Sequence, residues 1–296
     1  MPAAALPVAL TAPTAPDPGT GPDQGFLATY GFTWLPYAAA ALVLLGLGLV
    51  IAIRNRRARP ALLELLLTRG AVLAVIAVSV GALADQVAEG DGLTSFDRPV
   101  WQWFVDHRTG FLTGVARTVT TVGSTLSMGV LAGVTVIVLW VRGRRPDAVV
   151  IAVVALGAGL LVRVGKTIVG RVRPPVAERL VDETNQSFPS GHSLASMAIL
   201  GVLVIVLVRL IPSPAGRIAV RVVAVLFIAL IGLSRLYLGV HWSTDVLGGW
   251  LTGAGWLVLC LTVRRLWRIR RTVQRAALPD DSPADPTRSP RRTDQA

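Results

Sequence analysis

Ser234-Arg235-Leu-Tyr-Leu-Gly-Val-His241-Trp-Ser-Thr-Asp245 stands between two apolar runs, 218–234 and 246–263. Each run is close to the lower limit of about 17 residues for crossing a bilayer. A guanidinium, an imidazole and a carboxylate at such a junction are costly unless they pair, reach water or do chemistry. Two further polar clusters sit beside apolar runs in the same way: Lys166-Thr-Ile-Val-Gly-Arg-Val-Arg173-Pro174 and Pro189-Ser190-Gly191-His192. Lys166 is the sole lysine of the chain, and His192 and His241 are two of its three histidines. The expected fold is an all-α integral membrane protein with polar groups gathered at the span ends.

Composition agrees. Of 296 residues, 53% are hydrophobic and 16% charged, against about 25% charged in soluble domains. The single cysteine, Cys260, lies in an apolar run and reads as packing; it fixes no redox compartment. A net charge of +12 could suggest nucleic acid. The distribution argues against it. Arginines concentrate at 54–59, 142–145 and 264–275, each group abutting an apolar run. That is the positive-inside pattern, in which arginines orient spans and meet anionic headgroups. No nucleic-acid partner is expected.

Seven apolar segments can be marked, at 34–53, 63–84, 122–141, 148–165, 193–210, 218–234 and 246–263. Placing 54–60 in the cytoplasm puts every dense arginine cluster inside. The loops 85–121, 166–192 and 235–245 then fall outside, and all three polar clusters share that outer face. Phe96-Asp-Arg-Pro-Val-Trp101-Gln-Trp103-Phe104 mixes aromatics with charge and suits a short helix in the headgroup zone. The expected organisation is a loose tail at 1–32 without the basic start of a signal peptide, and an extra span with a basic linker at 33–69. A catalytic membrane domain at 70–263 and a basic cytoplasmic segment with a disordered tail at 264–296 follow.

Lys166 and Arg173 are seven apart and share a face if that stretch is helical, with Pro174 and Pro175 stopping the helix. Two cations at a membrane rim can clamp a dianionic phosphate. For Arg163 and Arg171, ordinary snorkelling is the simpler reading. Ser190 can cap the helix that follows, and Gly191 lets backbone approach an anion at the helix start, with His192 in the first turn. His241 and Asp245 are four apart, the spacing of one helical face. A carboxylate behind an imidazole selects its tautomer and supports positive charge on it.

In this order the three clusters resemble the signature motifs of the type 2 phosphatidic acid phosphatase (PAP2) superfamily. The resemblance covers roughly residues 70–263 and implies a core of six transmembrane helices, with 34–53 an added N-terminal span. It also implies roles. His241 attacks phosphorus and becomes a phosphohistidine, Asp245 holds it, and His192 protonates the leaving oxygen and then activates water. Lys166, Arg173, Ser190, Gly191 and Arg235 hold the phosphoryl oxygens. The family reaction uses no metal and no cofactor. His107 matches no motif and reads as a surface residue.

The implied substrate is a lipid whose tail stays in the bilayer while its phosphate enters the site. Undecaprenyl diphosphate is slightly favoured, with phosphatidylglycerol phosphate and phosphatidic acid as alternatives. The implied location is a bacterial cytoplasmic membrane, with the site on the extracytoplasmic face and the C-terminus inside. Competing readings are a phosphotransferase using an alcohol acceptor and a non-enzymatic lipid-phosphate binder or transporter. A vanadium haloperoxidase shares the motifs, but those relatives are soluble.

Overall fold

A computed structural model describes residues 60–276. The expected tail at 1–32, the span at 34–53 and the end of the C-terminal tail lie outside the described residues. The described residues are all α, with short 3-10 turns and no strand. The helices are α1 (Pro60–Glu89), α2 (Asp97–Asp106), α3 (Gly110–Val122), α4 (Thr125–Val141), α5 (Arg145–Val169), α6 (Gly191–Leu207), α7 (Pro214–Tyr237) and α8 (Ser243–Ala276). α1 and α8 both run past the apolar runs marked at 63–84 and 246–263.

Local chemistry sets the helix ends. The side chains of Thr109, Ser124, Ser190 and Ser213 accept hydrogen bonds from the first turns of α3, α4, α6 and α7. Proline opens α5 and α7, where its missing N–H costs nothing. α5 ends at Gly170, in the left-handed conformation with φ of 64°, rather than at Pro174 as the motif suggests. The serine cap expected at Ser190 is present.

Five of the described helices are long and apolar enough to cross a membrane. A sixth span arises if α3 and α4, bent by 44° at their junction, count as one. The protein is a multi-pass membrane protein. α6 is its central element: 56% of its span is buried, against at most 28% for the others, and it packs on α4, α5, α7 and α8. Lipid tails are as apolar as leucine, so such helices associate through close packing rather than water exclusion. Gly249 and Gly253 of α8 provide it. A Cβ at either position would lie 2.7 Å from the carbonyl oxygen of Ser190 or 2.6 Å from that of Leu194. The α6 and α8 backbones therefore touch, and this contact fixes the start of α6 beside the start of α8.

The short helix expected near Phe96–Phe104 is α2. The stretch read as outer loop also contains α3, a second helix that was not expected there. α3 packs on α7, burying Ala116 and Thr120. Because α5 to α8 alternate in direction, the C-terminal ends of α5 and α7 and the N-terminal ends of α6 and α8 meet at one end of the bundle. The loop 170–190 crosses this end.

Candidate active site

His241 is 1% exposed and lies just before α8, which begins at Ser243. The expected pairing with Asp245 is present, at 3.2 Å from Nδ1 to the carboxylate. Its geometry differs from the expectation, because His241 is not on the helix. Asp245 sits in the first turn and its carboxylate reaches back, accepting the Trp242 backbone N–H at 2.8 Å. That is half of a capping box. Further donors at the start of α8 are met from α2: Asp97 accepts the Thr244 N–H at 2.9 Å and the Ser243 hydroxyl at 2.5 Å.

Arg171 ties these carboxylates together. Its guanidinium donates to Asp245 at 2.7 Å, to Thr244 Oγ1 at 2.7 Å and to Asp97 at 2.6 Å. The snorkelling role expected for Arg171 is thus corrected: two buried carboxylates need a cation, and Arg171 turns inward to supply it. Ser187 donates to Asp245 as well. A carboxylate cannot donate, so the His241 Nδ1 carries the hydrogen and Nε2 carries the lone pair. That lone pair faces Arg173 Nη1 at 3.2 Å.

Arg173 lies in the loop beyond α5, so Lys166 and Arg173 do not share a helical face. The chain reversal at Gly170 brings them to the same pocket instead, within electrostatic range of each other. Arg173 is 7% exposed and anchored by Val240 O at 2.6 Å and by the backbone and side-chain oxygens of Asn185 at 2.6 and 2.7 Å. Lys166 Nζ donates to Gln186 O. Arg235 is 2% exposed; it donates to Thr120 Oγ1 at 2.6 Å, and its buried Nε has no partner. Glu183 bridges the two guanidinium groups, paired with Arg235 and lying 3.4 Å from Arg173.

His192, in the first turn of α6, lies within electrostatic range of His241, Arg173, Arg235 and Lys166. Ser190 is fully buried. Its hydroxyl oxygen accepts from the Ser193 N–H and hydroxyl, which leaves its own hydrogen to donate. Gly191 opens α6 at the positive end of the helix dipole. All eight residues singled out from the motifs therefore gather at one end of the bundle. The motifs did not point to Arg171, Asp97, Glu183, Asn185, Ser187 or Thr120. Arg171 was findable, since it sits inside the first motif.

Burial pushes the His241 imidazole down to about 3, against the opposing pull of Asp245. Glu183 is also buried, but Arg235 and Arg173 outweigh that and hold its carboxyl below the usual range. His241 is therefore neutral near pH 7. Above about pH 6.5, the folded and unfolded chains both leave this ring neutral. As the pH falls below that, the unfolded chain takes a proton that the folded chain refuses, so stability declines until about pH 3. In spectra of protein labelled with 15N-histidine, one ring stays neutral and Nδ1-protonated at about pH 5, and its signal is missing from His241→Gln. A His241 ring that protonates near pH 6.5 would contradict this.

Residues 147–269 match the PAP2 superfamily. The chain is 43% identical over 95 residues to phosphatidylglycerophosphatase B of Bacillus subtilis, covering 32% of this chain and 46% of that protein. It is 27% identical over 146 residues to undecaprenyl-diphosphatase of Sulfolobus acidocaldarius, covering 48% of this chain and 66% of that protein. The chain thus spans about half the length of the first of these curated relatives and just under two thirds of the second. Its fold resembles the crystal structure of a transmembrane PAP2 type phosphatidylglycerolphosphate phosphatase from Bacillus subtilis. That likeness has a TM-score of 0.59 at 29% identity and covers 66% of this chain and 96% of that one. The three clusters that converge on one pocket all lie within residues 147–269, and that stretch is a PAP2 superfamily domain.

Proposed function

We propose that this protein is a membrane lipid phosphatase that removes a terminal phosphate from a lipid through a phosphohistidine on His241. One observation carries the reading: a neutral, buried His241 presents its Nε2 lone pair to a pocket of three cations. The Nε2 pair attacks phosphorus, a P–N bond forms and the bond to the leaving oxygen breaks. His192 supplies the proton that the leaving oxygen takes. His192 then accepts a proton from water as the water oxygen attacks phosphorus. The P–N bond breaks, its electrons return to Nε2, and inorganic phosphate leaves.

Asp245 supports the positive charge that His241 develops, while Arg171 and Ser187 keep Asp245 in place. Lys166, Arg173, Arg235, the Ser190 hydroxyl and the Gly191 N–H hold the phosphoryl oxygens, where fixed donors stabilise the transition state most. The unpartnered Nε of Arg235 is one such donor. Glu183 sits between two of these arginines and withdraws as phosphate enters. Replacing it with glutamine removes the competing charge while keeping its shape. Glu183→Gln therefore binds inorganic phosphate about tenfold more tightly in competition assays, a gain of about 1.4 kcal/mol. Equal or weaker phosphate binding would show that Glu183 holds the arginines ready rather than competing with substrate.

The related phosphatidylglycerophosphatase and undecaprenyl-diphosphatase support two substrates for this chain, phosphatidylglycerol phosphate and undecaprenyl diphosphate. The arginine clusters at 142–145 and 264–271 lie at the opposite end of the bundle from His241, which supports an extracytoplasmic site and a cytoplasmic C-terminus. The test is phosphate release by purified protein from both lipids and from phosphatidic acid, with and without EDTA and an alcohol acceptor. Release from at least one lipid, surviving EDTA and giving no alkyl phosphate, supports the reading. No release from any lipid would favour a binder or transporter, alkyl phosphate a transferase, and loss restored by a divalent ion a metal-dependent reaction.

A further inference from the structure

At the end of the bundle remote from His241, α5 and α8 border a groove of about 660 Å³. Its wall is apolar, built from Val149, Val153, Trp256, Leu259 and Val263. Its rim, toward the helix ends, carries Arg145, Arg264 and Arg268. Charge at this rim does not balance. The carboxylate of Asp147 is shared by Arg144, at 3.0 and 2.6 Å, and by Arg264. Arg268 feels Arg264 and Arg209 as like charges and Asp147 as an opposite one. Arg145 has a ring for a neighbour, with its guanidinium 5.5 Å from the centre of Trp140. The side chain of Arg264 is 9% exposed, and its buried Nε has no hydrogen-bond partner.

We infer that this groove binds one anionic glycerophospholipid of the leaflet on that side. Its phosphate lies against Arg145, Arg264 and Arg268, and one acyl chain runs along Val153 and Trp256. Each half of the groove asks for a different half of such a molecule. The rim needs a negative charge, which a zwitterionic lipid does not bring in net. The wall needs a chain. From Arg145 to Val153, at 1.5 Å per residue, the wall rises about 12 Å, enough for a large part of an extended acyl chain. A free phosphate would use the rim alone and leave the wall bare. Trp140 and Trp267 line the same groove, with side chains that suit the headgroup level, where basic groups attract anionic lipid.

The experiment uses the full chain purified in detergent, incubated with equal dioleoylphosphatidylglycerol and dioleoylphosphatidylcholine, with retained lipid weighed by native mass spectrometry. We expect one phosphatidylglycerol retained with at least about tenfold preference, abolished in the double variant Arg145→Gln/Arg268→Gln. Neither arginine donates to a carboxylate, so the fold survives their loss. Val153→Trp keeps the charges, fills the wall and lowers retention as well. Arg173→Gln, which damages the catalytic pocket, leaves retention unchanged; this separates the groove from lipid held at the active site. Equal retention of the two lipids, unchanged preference in the double variant, or loss confined to Arg173→Gln would overturn the inference. Displacement by millimolar inorganic phosphate alone would show a simple anion site and overturn it too.

Discussion

His241→Ala is expected to lower phosphate release from lipid by at least about 10⁴-fold, the scale on which loss of a nucleophile or its partner acts in comparable sites. The reason is specific to this geometry. Nε2 is the buried lone pair that faces the cation pocket, and no other side chain among the described residues presents a histidine nitrogen backed by a carboxylate. His192 is near, but no carboxylate orients it. Substrate binding should survive, since Lys166, Arg173 and Arg235 remain. The variant should therefore still retain inorganic phosphate while turning over almost nothing. Release within tenfold of the parent would remove His241 from the role of nucleophile.

Asp245→Asn should cost on the order of 10⁴-fold in rate while the protein stays folded. Asp245 is fully buried and accepts from His241, Trp242, Ser187 and Arg171. An amide is neutral and has only one accepting atom. It can turn that oxygen toward Nδ1, but it no longer balances Arg171 or the imidazolium-like charge that forms during attack. Arg171 keeps Asp97 as its partner, which limits the structural damage. The expected signature is a fall in kcat with little change in KM. A rate unaltered within threefold, in a variant with normal thermal stability, would take Asp245 out of the mechanism.

The spans among the described residues were legible because a bilayer demands long apolar runs and arginines mark their ends. The pairing of His241 with Asp245 was legible for a different reason from the one the spacing suggests. Four residues fit one helical face, yet they also fit a residue before a helix and a side chain folding back from its first turn. The same holds for Lys166 and Arg173, which a glycine turn brings together. α3 escaped notice because its threonines and Arg117 break the apolar run; it is helical through packing of one face on α7. Asp97, Thr120 and Glu183 reach the pocket from separate stretches of chain. Each is an ordinary polar residue in its own surroundings. Only the tertiary fold gives it a charged partner, so no local pattern could announce it.

Trapping the intermediate tests the phosphohistidine most directly. Purified protein is mixed with lipid carrying a 32P-labelled terminal phosphate, quenched in alkali within milliseconds and digested. The expected label is stable to base and lost in acid, lies on the peptide containing His241, and is absent from His241→Ala. A label on the peptide of His192, an acid-stable label, or full turnover without any labelled protein would contradict it.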